Sequence, residues 1–159
     1  MPQDARFEDG GERPVNLMAE TTDDLTVISA LVQDAILPVT EMKYQSGARR
    51  FALLLNRFRW EDRPVAERSG RAFERVQSVL SVQDVLGVSS QGIDRADKDV
   101  ILSLLSITFE AGEDGAGHVD LTFAGDGVIR LAVECLDVVL KDVTKPYVAP
   151  SGKVPTHRD

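Results

Sequence analysis

Between Arg49 and Asp62 the chain reads RRFALLLNRFRWED, and this stretch limits the fold more than any other. As a β-strand it places Phe51, Leu53, Leu55, Arg57 and Arg59 on one face and Ala52, Leu54, Asn56, Phe58 and Trp60 on the other. Both faces are apolar as far as Leu55, a pattern that suits an inner strand covered on its two sides. After Leu55 the first face turns cationic. Arg57 and Arg59 either run past the core and lie along its rim, the commoner place for such residues, or are held there to meet carboxylates or a bound anion. Trp60, the only tryptophan, stands beside Phe58 and the two arginines, where it can stack on a base, a sugar or a partner's side chain. A core tryptophan covered by arginine stems is the structural alternative.

At 159 residues, 43% of them hydrophobic, the chain is long enough for one domain with a full core. The polar residues 1–14 are expected to be a mobile lead-in, 15–145 a single globular domain, and 146–159, with Pro146, Pro150 and Pro155, an irregular tail. The start of the chain lacks the apolar segment of a signal peptide, and no apolar run approaches the roughly 20 residues that span a bilayer. One cysteine excludes an internal disulfide. A cytoplasmic protein with no membrane partner is the expectation.

The net charge of -8 is unevenly spread. From Lys43 to Arg75 nine basic residues face four acidic ones, so this segment is +5 and the remainder -13. Overall acidity argues against nucleic acid as a partner, while the basic segment suits a small anion, an acidic protein partner, or the protein's own carboxylates in the same subunit or across a homodimer. Arg50, Arg57, Arg59 and Trp60 are the candidate ligand- or partner-binding residues.

Elsewhere the pattern is one helix and about eight strands. Val15–Glu20 reads as a first strand, and Thr21 and Thr22 followed by Asp23 and Asp24 read as the start of a helix over Thr22–Gln33. Leu25, Ile28, Leu31 and Val32 form its apolar stripe. Pro38 opens an extended segment, 37–44, which the turn Gln45–Ala48 folds back on 50–59 with Tyr44 opposite Arg49 and Met42 opposite Phe51. Residues 61–71, with a proline, a glycine and six charges, read as the longest internal loop. Val76–Val82 and Val85–Val88 read as two strands or one long bulged strand with its break at Gln83–Asp84, and Ile93–Asp99 is a polar turn before a strand over Val100–Glu110. His118–Phe123 and Val128–Leu140 follow, the latter with a bulge near Cys135 or, in competition, a helix over Val133–Val143. The strand phase of Ile129, Leu131 and Val133 places Cys135 in the core. Short connections favour antiparallel pairing, so the fold class is α+β and strand-dominated: a curled antiparallel sheet or small barrel with one N-terminal helix packed on it.

RRFALLLNRFRWED, RVQSVLSVQDVLGVSSQGID, VILSLLSITFE and LTFAGDGVIRLAVECLDVVLKDV resemble the alphaproteobacterial uncharacterised family known as domain of unknown function 2948. The resemblance covers roughly residues 15 to 145 and implies no reaction, cofactor or catalytic residue. The strand run is also similar to that of a pleckstrin-homology-like barrel, without its C-terminal helix.

The residues offer little chemistry. Two histidines and one cysteine make no zinc-type cluster, and Asp94, Asp97 and Asp99 lack the EF-hand spacing, so no metal or cofactor is expected. Gly87–Gly92 is not a nucleophile elbow, and His118 has no evident partner as a general base. A non-catalytic interaction or scaffold domain that associates with itself fits these absences best. A binding module for a small anion is second, and an enzyme third.

Overall fold

The computed structural model describes residues 13–94 and 96–148, which form eleven strands and two α-helices. The expectations for residues 1–12 and for the tail beyond Val148 lie outside the described residues. Strand β1 (Asn16–Ala19) leads into α1 (Thr22–Leu31), whose N-cap, Thr21, accepts a hydrogen bond from the Asp24 N–H at 3.1 Å. Asp23 and Asp24 lie in its first turn, at the positive end of the helix dipole. Leu25, Ile28 and Val32 are buried and Leu31 packs against them, so the apolar stripe is the face the helix lays on the sheet.

The remaining strands are β2 (Ala35–Pro38), β3 (Met42–Gln45), β4 (Arg50–Phe58), β5 (Glu74–Val82), β6 (Val85–Gln91) and β7 (Ile101–Ala111). After them come β8 (Gly117–Phe123), β9 (Gly127–Val133), β10 (Val138–Asp142) and β11 (Tyr147–Val148). They pair antiparallel in one sheet, β1-β10-β5-β4-β2-β7-β8-β9-β6, with β3 on the side of β4 and β11 on the start of β5. The chain crosses between distant parts of this path at Gln83–Asp84 (β5 to β6) and at Glu134–Asp137 (β9 to β10), so the sheet curls over on itself. Leu53, Leu55, Leu80 and Leu140 thereby enter one core with Leu104, Leu121, Phe123 and Leu131. The sheet is not closed into a barrel: β1 and β6, at the two ends of the path, do not pair.

Four expectations need correction. The helix count is two, because Arg63–Ser69 within the expected loop is α2. Pro64 stands in its first turn, where a missing N–H is no loss, Arg63 and Glu67 pair at 2.8 Å, and Gly70 caps the end at φ 63°. The strand count is eleven, partly because a 3-10 turn at Val39–Glu41 splits 37–44 into β2, which lies between β4 and β7, and β3, which pairs with β4 alone.

The β3–β4 register differs by two residues from that expected: Tyr44 lies opposite Phe51 and Met42 opposite Leu53. A shift of two leaves every side chain on its expected face. Lastly, Val128–Leu140 is neither one bulged strand nor a helix. The strand ends at Val133, a four-residue corner follows, and β10 pairs with β1 and β5 instead. Cys135 sits on that corner and is exposed, not buried.

The β7–β8 hairpin depends on Gly117. A Cβ there would collide with the Glu110 carbonyl and lie 2.9 Å from the Phe109 ring. Gly117→Ala is expected to destabilise the fold by about 1–3 kcal/mol, as overpacking does, measured by urea denaturation.

Candidate functional site

The rim expected for Arg57 does not exist at its position. Its strand phase carries it into the interior with Phe51, Leu53 and Leu55, and it is 0% exposed. Leu55, Ser78 and Asp142 form one row across β4, β5 and β10, and the guanidinium lies over the polar end of that row. Arg57 Nε donates to Ser78 Oγ and Asp142 Oδ1, both at 3.1 Å, and Nη2 donates to the two Asp142 oxygens at 3.0 Å. Nη1 and Nη2 donate to Glu61 Oε1 and Oε2, each at 2.9 Å, and Nη1 also reaches the Phe58 carbonyl at 3.3 Å. Asp142 is held in turn by the Ser78 hydroxyl at 2.7 Å and the Val15 N–H at 2.8 Å. Every guanidinium nitrogen thus has an acceptor within the chain. Burial alone would lower the Arg57 pKa, but hydrogen bonds and charge from Glu61 and Asp142 outweigh it and hold the pKa above its ordinary value.

Arg59, 2% exposed, enters a second set of carboxylates. Its Nη1 bonds Glu74 Oε1 and lies 3.5 Å from Asp62 Oδ2, while Nε lies 3.7 Å from Glu61. Asp62, 1% exposed, accepts a two-pronged pair from Arg71 at 2.8 and 2.9 Å. Arg59 Nη2 is enclosed without a hydrogen-bond partner. Arg57, Arg59 and Arg71 thus stand among Glu61, Asp62, Glu74 and Asp142.

Trp60 is half-buried next to them. Its Nε1 donates to the Gln33 carbonyl at 3.0 Å, its ring meets Phe58 edge-on at 4.7 Å, and the Arg63 guanidinium lies 6.0 Å from the ring. Arg50 is not in this group. It lies at the other end of β4, exposed, with Nε donating to Gln83 at 3.2 Å.

Other chemical groups are dispersed. His118 on β8 lies between Glu110 and Ala132 in the ladders. Among the described residues no three His, Cys, Asp or Glu side chains form a group that could hold a metal ion. The Cys135 thiol lies 3.2 Å from Asp84 Oδ2, and the hydrogen bond to that carboxylate pushes its pKa up, which disfavours the thiolate. Nearby, Asp137 Oδ1 is buried without a partner, and burial, Asp84 and Glu20 raise the Asp137 pKa.

Two further surfaces stand out. A cleft of about 200 Å³ is lined by Val39, Met42 and Tyr44 on one side, Val88 and Ser90 on the other, and Phe51 and Ile129. Nothing local in the sequence marks it, because it arises where β3 and β6 approach as the sheet curls. The second is the outer face of β4 and β5, where Ala52, Leu54 and Val79 are only partly covered.

If the Arg57 network holds this end of the core, Asp142→Ala and Arg57→Met should each cost about 3–5 kcal/mol, since each leaves an opposite charge buried. The double variant should cost less than the sum, in a urea-denaturation double-mutant cycle. Asp137 should act oppositely: a carboxyl with a raised folded-state pKa binds its proton more tightly in the native state, so stability is lost as pH rises through that pKa. Asp137→Asn should therefore raise the melting temperature at neutral pH, and the gain should shrink as the solution is acidified through the carboxyl range.

No curated protein and no solved structure matches this chain. Residues 15–157 match the family described as "Protein of unknown function (DUF2948)", nearly the whole sequence. The chain belongs to that family.

Proposed function

We propose that this chain is a non-catalytic interaction domain that associates with a second copy of itself through the outer face of β4, β5 and β10. The observation that supports it is a largely apolar stretch of that face which the described residues only partly cover. Met18, Val139, Ser81 and Ala52 lie in register across β1, β10, β5 and β4, and Val79 and Leu54 lie beside them. Met18 is 58% exposed. Both faces of β4 are apolar as far as Leu55, yet the described residues bury Phe51, Leu53 and Leu55 on one and only partly cover Ala52 and Leu54 on the other. A second copy would cover the other.

The margins of this face suit a two-fold arrangement. Lys141 lies in register with Val79, and Glu41 borders the shallow depression that contains Leu54 and Val79. A two-fold axis between Val79 and Leu54 would bring Lys141 of one copy toward Glu41 of the other, with Lys43 in the next row. An anion at the arginines has less support. Arg57 is saturated, and the three cations of the network stand among four carboxylates, so a bound anion would join an excess of negative charge.

Sedimentation over a range of protein concentrations tests the proposal. The unaltered protein is expected to dimerise and to remain dimeric at high salt, because apolar burial rather than exposed charge carries the contact. Leu54→Lys should leave the fold intact and weaken the dimer by about tenfold or more, roughly 1.4 kcal/mol or above. A monomer at every concentration would overturn self-association.

A further inference from the structure

Strand β6 ends the sheet path, so one edge pairs with β9 and the other meets no strand among the described residues. Open edges are normally shielded by charge, proline or brevity. The open strands β1 and β3 have four residues each, and β3 carries Lys43. By contrast β6 has seven, Val85-Leu86-Gly87-Val88-Ser89-Ser90-Gln91, with neither charge nor proline. Its irregularity, between Val85 and Gly87, lies where the edge is already occupied. There the Val85 N–H donates to the Arg49 carbonyl at 2.8 Å and the Tyr44 hydroxyl donates to the Val85 carbonyl at 3.4 Å.

Those two bonds determine which backbone groups face outward. Both polar groups of Val85 point away from β9, so Val85 and Val133 are a pair without mutual hydrogen bonds. Leu131 and Ile129 share the phase of Val133, and they lie opposite Val88 and Ser90. By alternation the N–H and C=O of Val88 and Ser90 lie on the open edge, while those of Ser89 and Gln91 bond to β9. The side chains of Val88 and Ser90 line the cleft, with Met42, Tyr44 and Phe51 among its other walls. No charged residue lines it, so a charged side chain entering would be desolvated without a partner.

The cleft volume separates the candidate ligands. About 200 Å³ is below the roughly 300–1,000 Å³ of small-molecule pockets and suits one or two side chains. The strand β3 stands on the far side and Tyr44 bridges across. One extended segment fits that arrangement, whereas the β6 of a second copy would bring its own β9 with it.

We propose that β6 is a strand-addition site for an extended, uncharged segment of a partner protein. The segment pairs through its backbone with Val88 and Ser90 and places an apolar side chain in the cleft. The surface is separate from the outer face of β4 and β5, so each proposal can fail without the other.

The test is selection of a random dodecapeptide library, displayed on phage, against the full chain. Peptides with apolar residues at alternate positions are expected to enrich. A synthetic, labelled copy of one should bind about tenfold or more weakly to Ser90→Lys, at an exposed position, and equally well to Leu54→Lys. Bound peptide should slow hydrogen exchange at the amides of Val88 and Ser90, with little change at Ser89 and Gln91, a readout that needs no variant. Failure to enrich any peptide, undiminished binding to Ser90→Lys, or protection elsewhere would overturn the proposal. A dimer dissolved by Ser90→Lys, with no peptide enriched, would overturn it in favour of a second copy at this edge.

Discussion

A guanidinium with no exposed surface stays ionised in a protein interior only where carboxylates and hydrogen-bond acceptors surround it, and Arg57 imposes that requirement on this fold. Its acceptors come from β4, β5, β10 and the turn after β4, and Asp142 is also tied to Val15 before β1. A one-residue slip of β4 would move Arg57 to the outer face and leave Asp142 buried without its cation. The network therefore specifies register, an effect separate from any net gain in stability, since replacing a buried ion pair by apolar groups is often neutral.

The same curled sheet is finished differently at different places. Near Arg57 the core ends in charge that is satisfied internally. Around Tyr44 and Val88 it ends in an apolar gap, where two open strands approach without forming a ladder. Charge-rich does not mean available here. The arginines most conspicuous in the sequence are among the least accessible residues, while the accessible features are a neutral strand edge and a weakly polar sheet face.

Much of the fold was legible in local patterns. Alternation placed Phe51, Leu53, Leu55 and Arg57 on one face, and Thr21 with the acidic first turn located α1. What local patterns could not supply was long-range pairing. Asp142, the partner that makes Arg57 an interior residue, is 85 positions away. Pro64 and Gly70 looked like loop residues because the same two amino acids also start and cap a short helix. Cys135 looked buried because strand phase was carried through Glu134–Asp137, where the chain turns to join another part of the sheet. The cleft had no local signature, since Val39–Phe51, Val88–Ser90 and Ile129 meet only after the sheet has curled.

The pairing of β1 with β10 bears on how the chain is made. Asn16 lies opposite Lys141, so β1, which leaves the ribosome ahead of the other ten described strands, has no partner until β10 has been synthesised. Vectorial folding can build the β4–β5 and β7–β8–β9 meanders early, since their strands follow one another in sequence. A late step must bring Val15, β1 and β10 together, and with them Asp142 to Arg57. A nascent chain halted before Val138 would carry a buried-type arginine without the more deeply buried of its two counter-ions, and the emergence of β10 would itself be the event that licenses the native state.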